Sequence, residues 1–455
     1  MSAISVSLIS HTNVGKTTLM RTLLREDVGE VADRPHVTEA AEAGVLVETP
    51  EGDVLRLWDT PGLGDSARLL TRLRAAENPV GWLLAQVWDR FTDRPFFSSQ
   101  QALKNVRDEA DVVLYLVNAA EDPASSAYVP IELEILGWIG RPVILLLNQS
   151  GPPRSREAEA AEEEAWRASV ALFPQIRGAL TLDAFARCWV QEERLFSMLE
   201  GALAGETISA LQRLRAAWRA KNIEVFDASV EALADELAAL LIDREPLASA
   251  GDESRAIGAL AARAQAAARK ATERLIAAHG LAGHARDEIP RRVAEQFDVR
   301  RPADVAKAGL LGGVVSGLLG GLKADLATGG ASLGAGAIIG ALVGALGAGG
   351  VAHLWNVVRG KDASRARWSL ELLEAHLAGA VLRYLAVAHF GRGRGEWRES
   401  EHPPHWRALA EDIARAHRDA LEFLSGEPDP DPRPLVREAL SAALVRLYPD
   451  AAPLF

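Results

Sequence analysis

Residues Ser7–Leu19, with the sequence SLISHTNVGKTTL, decide the fold of the first part of this chain. Apolar and polar residues alternate up to this point as they do in a β-strand, and the residues after the glycine have a helical pattern. Gly15, Lys16 and Thr17 lie at the junction of the two patterns. This is the context of a P-loop, in which backbone N–H groups at a helix N-terminus surround a phosphate. Ser10 replaces the first glycine of the usual motif, while the residues that carry the phosphate contacts are retained.

The residue types of this loop predict the role of each side chain. Lys16 is expected to reach the β- and γ-phosphate oxygens of a nucleotide, and the Thr17 hydroxyl is expected to bind Mg²⁺. The residues predicted to surround the nucleotide are Asn13, Val14, Gly15, Lys16, Thr17 and Thr18.

A second motif, LRLWDTPGLGD, supports this interpretation. Asp59 ends a predicted strand, where a carboxylate that supports Mg²⁺ belongs, and Gly62 is placed for its backbone N–H to meet a γ-phosphate. Thr38, the lone threonine of the loop 25–43, is predicted to close over Mg²⁺ in the triphosphate state. The predicted metal ligands are therefore Thr17, Thr38 and Asp59.

The first two hundred residues or so alternate strand-like and helix-like segments. Short apolar runs such as VVLYLV favour central strands covered on both faces, and ETPEGDVL has the turn chemistry of a hairpin. We therefore predict an α/β P-loop NTPase fold over residues 1–200, with a mostly parallel sheet, one antiparallel edge and an insertion at about 64–108. The strand candidates are Ile4–Ser10, Gly44–Glu48, Val54–Trp58, Asp111–Val117, Val143–Asn148 and Ala179–Leu182.

The motifs NVGKT and DTPG, with a lone switch threonine between them, resemble the translation-factor-related bacterial GTPases of the Era and TrmE type. The whole chain, with LNQSGPPR and LDAFARCWVQE, further resembles a family of bacterial predicted GTPases that carry a helical C-terminal region. The resemblance implies a GTPase-like domain that binds GTP and Mg²⁺. It also implies that Asn13 holds a K⁺ ion that substitutes for an arginine finger. The alternative is that Asn13 only stabilises the conformation of the P-loop.

Hydrolysis is expected to depend on Asn13, Lys16, Thr38 and Gly62. Many GTPases carry a glutamine after the last glycine of the second motif, where it orients the attacking water. This chain has Leu63 there, so hydrolysis cannot rest on that side chain. We expect it to be slow, or stimulated by a partner or a cation.

The loop LNQSG stands where a GTPase normally has Asn-Lys-x-Asp to bind guanine. Asn148 is expected to brace the P-loop and contact the base, and Gln149 to cover the purine ring. Gly151 supplies no carboxylate, and loss of that acceptor weakens guanine selectivity unless another group compensates. Asp183, followed by Ala184, is the candidate acid, with a helix N-cap as the alternative role. There are two competing interpretations. The pocket binds ATP or does not discriminate between nucleotides, or the domain is a degenerate nucleotide binder.

The second half of the chain has helical periodicity, and we predict an all-α region without strands. It divides into a helical part at 201–300, a glycine-rich apolar helical hairpin at 301–360 and a C-terminal helical part at 361–455. Glycines recur every four residues in the hairpin, which allows close packing of helices. They are Gly309, Gly313, Gly317, Gly321, Gly336, Gly340 and Gly344. A shallow or re-entrant membrane hairpin at 308–352 and a tightly packed soluble hairpin are the two interpretations.

Composition limits the remaining choices. The net charge of -12 argues against broad nucleic-acid binding, and the single cysteine, Cys188, excludes an intramolecular disulfide and fits a reducing cytosol. The first residues lack the pattern of a signal peptide. We predict a cytoplasmic protein, which is peripheral to or inserted in the inner membrane if the hairpin contacts lipid. A monomer and a homodimer are both compatible with the sequence.

These patterns predict a Mg²⁺-dependent, GTP-hydrolysing switch that couples its nucleotide state, GTP or GDP, to a helical effector region in contact with a membrane or membrane protein. Two alternatives stand beside it. One is a dynamin-like GTPase that remodels or inserts into membranes, and the other is a soluble GTPase that binds RNA or the ribosome. The sequence contains no evident nucleic-acid-binding module, which counts against the last.

Overall fold

The computed structural model describes residues 2–25, 41–79, 81–82, 94–150, 156–184, 188–247, 253–281, 355–359, 364–390 and 404–455. Thr38, Gly151 and the glycine-rich block lie outside these ranges. The chain divides into two compact units. The first is chiefly Met1–Asn222, and the second is chiefly Ile223–Ala388 and His402–Pro453.

A six-stranded sheet forms the centre of the first unit, with the strand order β2-β3-β1-β4-β5-β6. β2 is antiparallel to β3, and the other neighbours are parallel, which confirms the predicted fold class. The strands are β1 Ala3–Ser10, β2 Glu42–Glu48, β3 Val54–Asp59, β4 Val112–Asn118, β5 Val143–Asn148 and β6 Ile176–Thr181. All six strand candidates are therefore present, each within a few residues of its predicted bounds.

Helices cover this sheet because its central strands are apolar on both faces. Every residue of β5 is buried, and β4 is buried up to Val117, so neither face of the sheet centre meets water. The helices of the first unit are α1 Lys16–Leu24, α2 Ser66–Arg74, α3 Arg94–Asp108, α4 Tyr128–Ile139, α5 Arg156–Ser169 and α6 Trp189–Ala202. Within the insertion, Phe96 is buried and Trp82 is partly buried, and both pack on the hydrophobic core that includes residues of β4 and β5.

A long helix, α7 (Glu206–Ile242), begins in the first unit and ends in the second. Its first turns are attached to α6 by buried polar contacts. Trp218 donates from Nε1 to Glu192 over 2.8 Å, and Arg215 donates from Nε to Glu193 over 2.7 Å. The segment up to Asn222 therefore belongs to the body of the first unit.

The second unit is predominantly helical, as predicted. Its helices beyond α7 are α8 Glu253–Ala278, α9 Leu370–Ala388, α10 Pro404–Ala416, α11 Arg418–Gly426 and α12 Arg433–Leu447, followed by a 3₁₀ helix at Pro449–Leu454. A buried ion cluster lies among them. Arg383 of α9 donates to both oxygens of Glu236 of α7 over 2.6 Å, and His376 Nε2 lies 2.8 Å from the same carboxylate.

The expectation that no strand interrupts this region is wrong. A three-stranded antiparallel sheet, in the order β7-β9-β8, is formed by Arg244–Leu247 (β7), Trp355–Arg359 (β8) and Ser364–Trp368 (β9). β8 lies in the part assigned to the glycine-rich hairpin, and β9 lies where helical periodicity was expected to resume. These strands are short, and arginine occupies one face, so they lack the apolar alternation that marks longer strands.

Among the described residues, no helix combines the length and the apolar character needed to cross a membrane. The expectation of membrane contact rests on residues 308–352, which lie outside that part of the chain.

Candidate nucleotide-binding site

The P-loop lies between the end of β1 at Ser10 and the start of α1 at Lys16. Gly15 has a φ of 88° and Asn13 a φ of 66°, both in the left-handed region. A Cβ on Gly15 would lie 2.9 Å from Asn148 Nδ2. Backbone conformation and close packing therefore both require glycine at this position.

Lys16 is buried, and its ammonium donates to Ser10 Oγ over 3.1 Å. Burial lowers the pKa of Lys16, while Asp59 and Glu132 oppose that shift by attracting the positive charge. Ser10, the residue that departs from the usual motif, therefore orients the lysine across the loop. The sequence did not indicate this role for Ser10.

The two described metal-ligand candidates lie together. The parallel pairing of β1 and β3 places Asp59 beside Leu8, and the Thr17 hydroxyl donates to Asp59 Oδ2. A hydroxyl oxygen next to a carboxylate oxygen is the donor set that Mg²⁺ prefers, so these residues fit the ion that the motifs imply. The third candidate, Thr38, lies outside the described residues.

The second motif packs directly on the P-loop. Leu63 donates its backbone N–H to Ser10 O over 2.9 Å, and a Cβ on Gly62 would lie 3.0 Å from Thr12 Cα. Thr60 anchors the turn by donating to Leu8 O over 2.6 Å. A side chain at Gly62 would push the two loops apart, so this glycine sets their separation.

Leu63 itself is fully buried in the core of the unit. Its side chain faces the core beneath the loop, where it cannot orient a water molecule. That hydrolysis does not rest on this residue stays a prediction.

A polar network next to the P-loop connects His11, Glu132 and Tyr115. The sequence motifs did not indicate this network. His11 Nδ1 lies 2.7 Å from Glu132 Oε1, and Tyr115 donates its hydroxyl to Glu132 Oε2 over 2.7 Å. The hydrogen bond to Glu132 raises the pKa of His11, although burial opposes it, and the His11 ring stacks on Tyr128 at a centroid distance of 4.7 Å. The one available signal was a tyrosine in the apolar run VVLYLV and Glu132, the first of two glutamates in IELEIL.

The loop after β5 joins the P-loop through Asn148. Its Nδ2 donates to Val14 O over 2.7 Å, and its Oδ1 accepts the Ala184 backbone N–H over 2.8 Å. Thr22 of α1 donates to Ala184 O over 2.8 Å, which ties the loop after β6 to the same helix. Asn148 therefore links the P-loop to the loop after β6. Thr18, another candidate, is buried in the first turn of α1.

Asp183 supplies a carboxylate to this loop. Its Oδ2 accepts the Ser150 backbone N–H over 2.7 Å, and the residue is buried. The helix that follows, α6, begins at Trp189 with Cys188 at its N-cap, so Asp183 does not cap that helix. Gln149 has a φ of 61°, and its Nε2 would lie 3.6 Å from a Cβ on Gly15. Gln149 thus belongs to the loop predicted to bind the base, and Asp183 contacts that loop from the loop after β6.

The fold and this pair of phosphate loops define the class of the first unit, a P-loop GTPase domain. Residues 5–149 match the family described as "50S ribosome-binding GTPase". Residues 175–443 match the family described as "Domain of unknown function (DUF3482)". The chain belongs to the DUF3482 family, with the GTPase domain preceding the DUF3482 region.

Relatives of known name match the GTPase domain. GTPase Era of Geobacter sp. (strain M21) is 28% identical over 144 residues, which are 32% of this chain and 39% of that protein. The tRNA modification GTPase MnmE of Streptococcus pneumoniae serotype 4 is 30% identical over 168 residues, 37% of this chain and 30% of that protein. The resemblance to Era-type GTPases is confirmed, and the chain spans well under half the length of either relative.

Solved structures include a crystal structure of Era in complex with MgGDPNP and nucleotides 1506–1542 of 16S ribosomal RNA. It is 15% identical, with a TM-score of 0.33, and the match covers 62% of this chain and 90% of that one.

Proposed function

We propose that this chain is a Mg²⁺-dependent switch that binds and hydrolyses GTP and couples its nucleotide state to the helical region. The observation that carries the proposal is the contact of the Thr17 hydroxyl with the Asp59 carboxylate. It joins the phosphate-binding helix to the second motif at the point where a magnesium ion bridges the two in P-loop GTPases.

The residues of the chain have distinct roles in this proposal. Backbone N–H groups from Asn13 to Thr18 surround the phosphates, and Lys16 neutralises charge on the outer ones. Thr17 and Asp59, with Thr38, hold the ion, which lowers the charge on the phosphate oxygens. The Gly62 backbone N–H faces the γ-phosphate, so its position reports whether that group is present.

Leu63 stands where many GTPases have a glutamine, and it is buried. Hydrolysis therefore has no side chain at that position to orient the attacking water. We propose that a K⁺ ion next to Asn13 supplies the missing positive charge. Hydrolysis should then be faster in potassium than in sodium buffers, and equal rates would remove this role of Asn13.

We propose that Asp183 recognises guanine in place of the carboxylate that Gly151 lacks. Its hydrogen bond with Ser150 holds the acid against the base loop. A charged acceptor at this position favours the N–H groups of guanine over adenine, which presents a ring nitrogen acceptor instead.

The route to the effector region is proposed to be α7. Arg25, directly before the loop that contains Thr38, donates to Asn222 of α7. Arg213 of the same helix donates to the buried Asp53 of the β2–β3 hairpin over 2.7 Å. Residues 26–40 follow Arg25 in the sequence, and Arg25 is hydrogen-bonded to α7, a helix of 37 residues. A change at residues 26–40 can therefore be passed to that helix through Arg25.

The test is nucleotide binding by a Lys16→Ala variant of the full chain. Loss of this cation should weaken GTP affinity by about 100-fold or more, because the charge-assisted contacts to the phosphates disappear. Lys104→Ala, a change at an exposed lysine of α3, is the matched control and should bind GTP normally. GTP binding by Lys16→Ala at the wild-type affinity would show that the site is misassigned.

A further inference from the structure

The β7–β9 pair of the second unit carries three arginines on one face. Arg244 lies opposite Arg367, and Pro246 lies opposite Arg365. Because side chains alternate across a strand, Arg365 and Arg367 share the face of Arg244. Between them, Ala366 points to the other face and is 2% exposed. We call the surface formed by Arg244, Arg365 and Arg367 the arginine face.

The opposite face of the sheet packs on α8. Glu245, which pairs with Ala366 and so lies on that side, contacts Arg263 of α8 at 2.9 Å. Trp368, which shares this side, is also buried. The arginine face therefore points away from α8, and Arg365 is exposed to solvent.

Like charges directly opposite each other on a sheet are unfavourable unless something neutralises them. Burial lowers the pKa of Arg244, and the charges of Arg367 and Arg365 lower it further, with Asp243 opposing. Arg244 donates to the Leu241 and Asp243 carbonyl oxygens over 2.7 and 2.9 Å, which are neutral acceptors.

The other two arginines have no carboxylate partner within the described ranges of the chain. The Nε of Arg367 is buried and has no hydrogen-bond acceptor there. Several other arginines of this unit are paired with a carboxylate, as Arg415 is with Asp412 and Arg433 with Asp431. Among the residues that the structure describes, no carboxylate pairs with any of these three neighbouring arginines, so their face is a candidate site for an anion.

The position of the face along the chain indicates which anion. β8, which pairs with β9, begins at Trp355, directly after the apolar glycine-rich block that ends near residue 351. An apolar segment followed by a basic cluster is the combination that gives stable attachment to an anionic membrane. A nucleic acid is a poorer fit, since β7 has four residues and spans only about 13 Å.

We propose that the arginine face binds the phosphate groups of anionic phospholipid headgroups, next along the sequence to residues 308–352, whose composition predicts membrane contact. The inference rests on the predicted membrane contact of that segment, one of the two interpretations of its sequence. Arginine is suited to this role because its planar guanidinium binds phosphate oxygens in pairs.

The experiment is flotation of the full chain with two kinds of vesicle, phosphatidylcholine alone and phosphatidylcholine mixed in equal parts with phosphatidylglycerol. The wild type should prefer the anionic vesicles. The double variant Arg365→Gln/Arg367→Gln should lose about 30-fold in partitioning to them, roughly fivefold for each arginine. The control is Arg415→Gln/Arg433→Gln, which removes the same charge from exposed positions and should partition as the wild type does.

Three results would overturn the proposal. The first is equal loss in both double variants, which would indicate a net-charge effect. The second is wild-type partitioning by Arg365→Gln/Arg367→Gln on vesicles that the wild type binds, which would leave the membrane contact to residues 308–352 alone. The third is no flotation with either vesicle, which would also remove the membrane contact. GTP binding by the same preparations is measured in parallel, so that failure of the switch is recognised separately, and thermal unfolding checks that each variant folds.

Discussion

Ser150 donates its backbone N–H to the Asp183 carboxylate over 2.7 Å, so an acid from the loop after β6 is held against the loop after β5. The loop after β5 lacks the acid of the usual guanine-binding motif. The contact explains how a chain with Gly151 in that motif can still present a negative charge to a base. It also leads to the first prediction.

Asp183→Asn should reduce the preference for GTP over ATP by about 10- to 100-fold, because a charged acceptor is replaced by a neutral group that also donates. Competition between the two nucleotides for the full chain measures it. Asp108→Asn changes an acid that pairs with Arg107 on the surface of the same unit and should leave the preference intact. An unchanged preference in Asp183→Asn would mean that another group recognises the base.

Gly62→Ala should slow GTP hydrolysis by about 10- to 100-fold, because its Cβ would lie 3.0 Å from Thr12 Cα and displace the γ-phosphate contact. GDP affinity should change much less, since GDP lacks that phosphate. Gly201→Ala is the matched control, because no described residue outside its own stretch of α6 comes within 4 Å of its Cβ position. Normal turnover in Gly62→Ala would show that the spacing between the two loops is not critical.

The His11–Glu132 contact should make stability depend on pH. The pKa of His11 is raised in the folded state by its hydrogen bond to Glu132. Protonated His11 therefore contributes stability that is fully present below its unfolded pKa of about 6.5 and is lost as pH rises through the folded pKa.

His11→Gln should remove that part of the pH dependence. Urea unfolding of the wild type and the variant between about pH 5.5 and 8.5 measures it. The difference in unfolding free energy between the two proteins should shrink as pH rises. A difference that stays constant with pH would show that folding leaves the pKa of His11 unchanged.

Glu236→Ala should destabilise the protein by about 3–5 kcal/mol, because it leaves the Arg383 guanidinium buried without its partner. Glu236 is 0% exposed and Arg383 is 1% exposed, so water cannot replace the lost contact. Asp235→Ala, one residue earlier on α7, removes an acid that is 68% exposed and pairs with Arg274. That control should cost less than about 1 kcal/mol in the same urea titration. Similar costs for the two variants would mean that the buried pair is dispensable.

Local features of the site were predictable from the sequence, because the residues that form them are contiguous. The P-loop lies between one strand and one helix, and the apolar runs of β4 and β5 mark central strands without further information. The hairpin turn between β2 and β3 likewise identified the antiparallel edge. In each case the residues that decide the structure are within one local segment.

Features that depend on distant residues were not predictable in this way. Glu132 and His11 are 121 positions apart in the sequence, and no residue near His11 in the sequence identifies Glu132 as its partner. Asp183 was a candidate acid by its place at a strand end, but its contact with Ser150 depends on the pairing of β5 with β6. β7 and β9 were not predicted, because they are short and one face of each carries arginine. They therefore lack the apolar alternation that marks longer strands.

The most direct test of the central claim is equilibrium binding of GTP, GDP and ATP to the full chain, with and without Mg²⁺. The proposed switch predicts GTP and GDP binding that exceeds ATP binding, with Mg²⁺ strengthening GTP binding through Thr17 and Asp59. Equal affinity for GTP and ATP, or no binding of GTP in the presence of Mg²⁺, would contradict it.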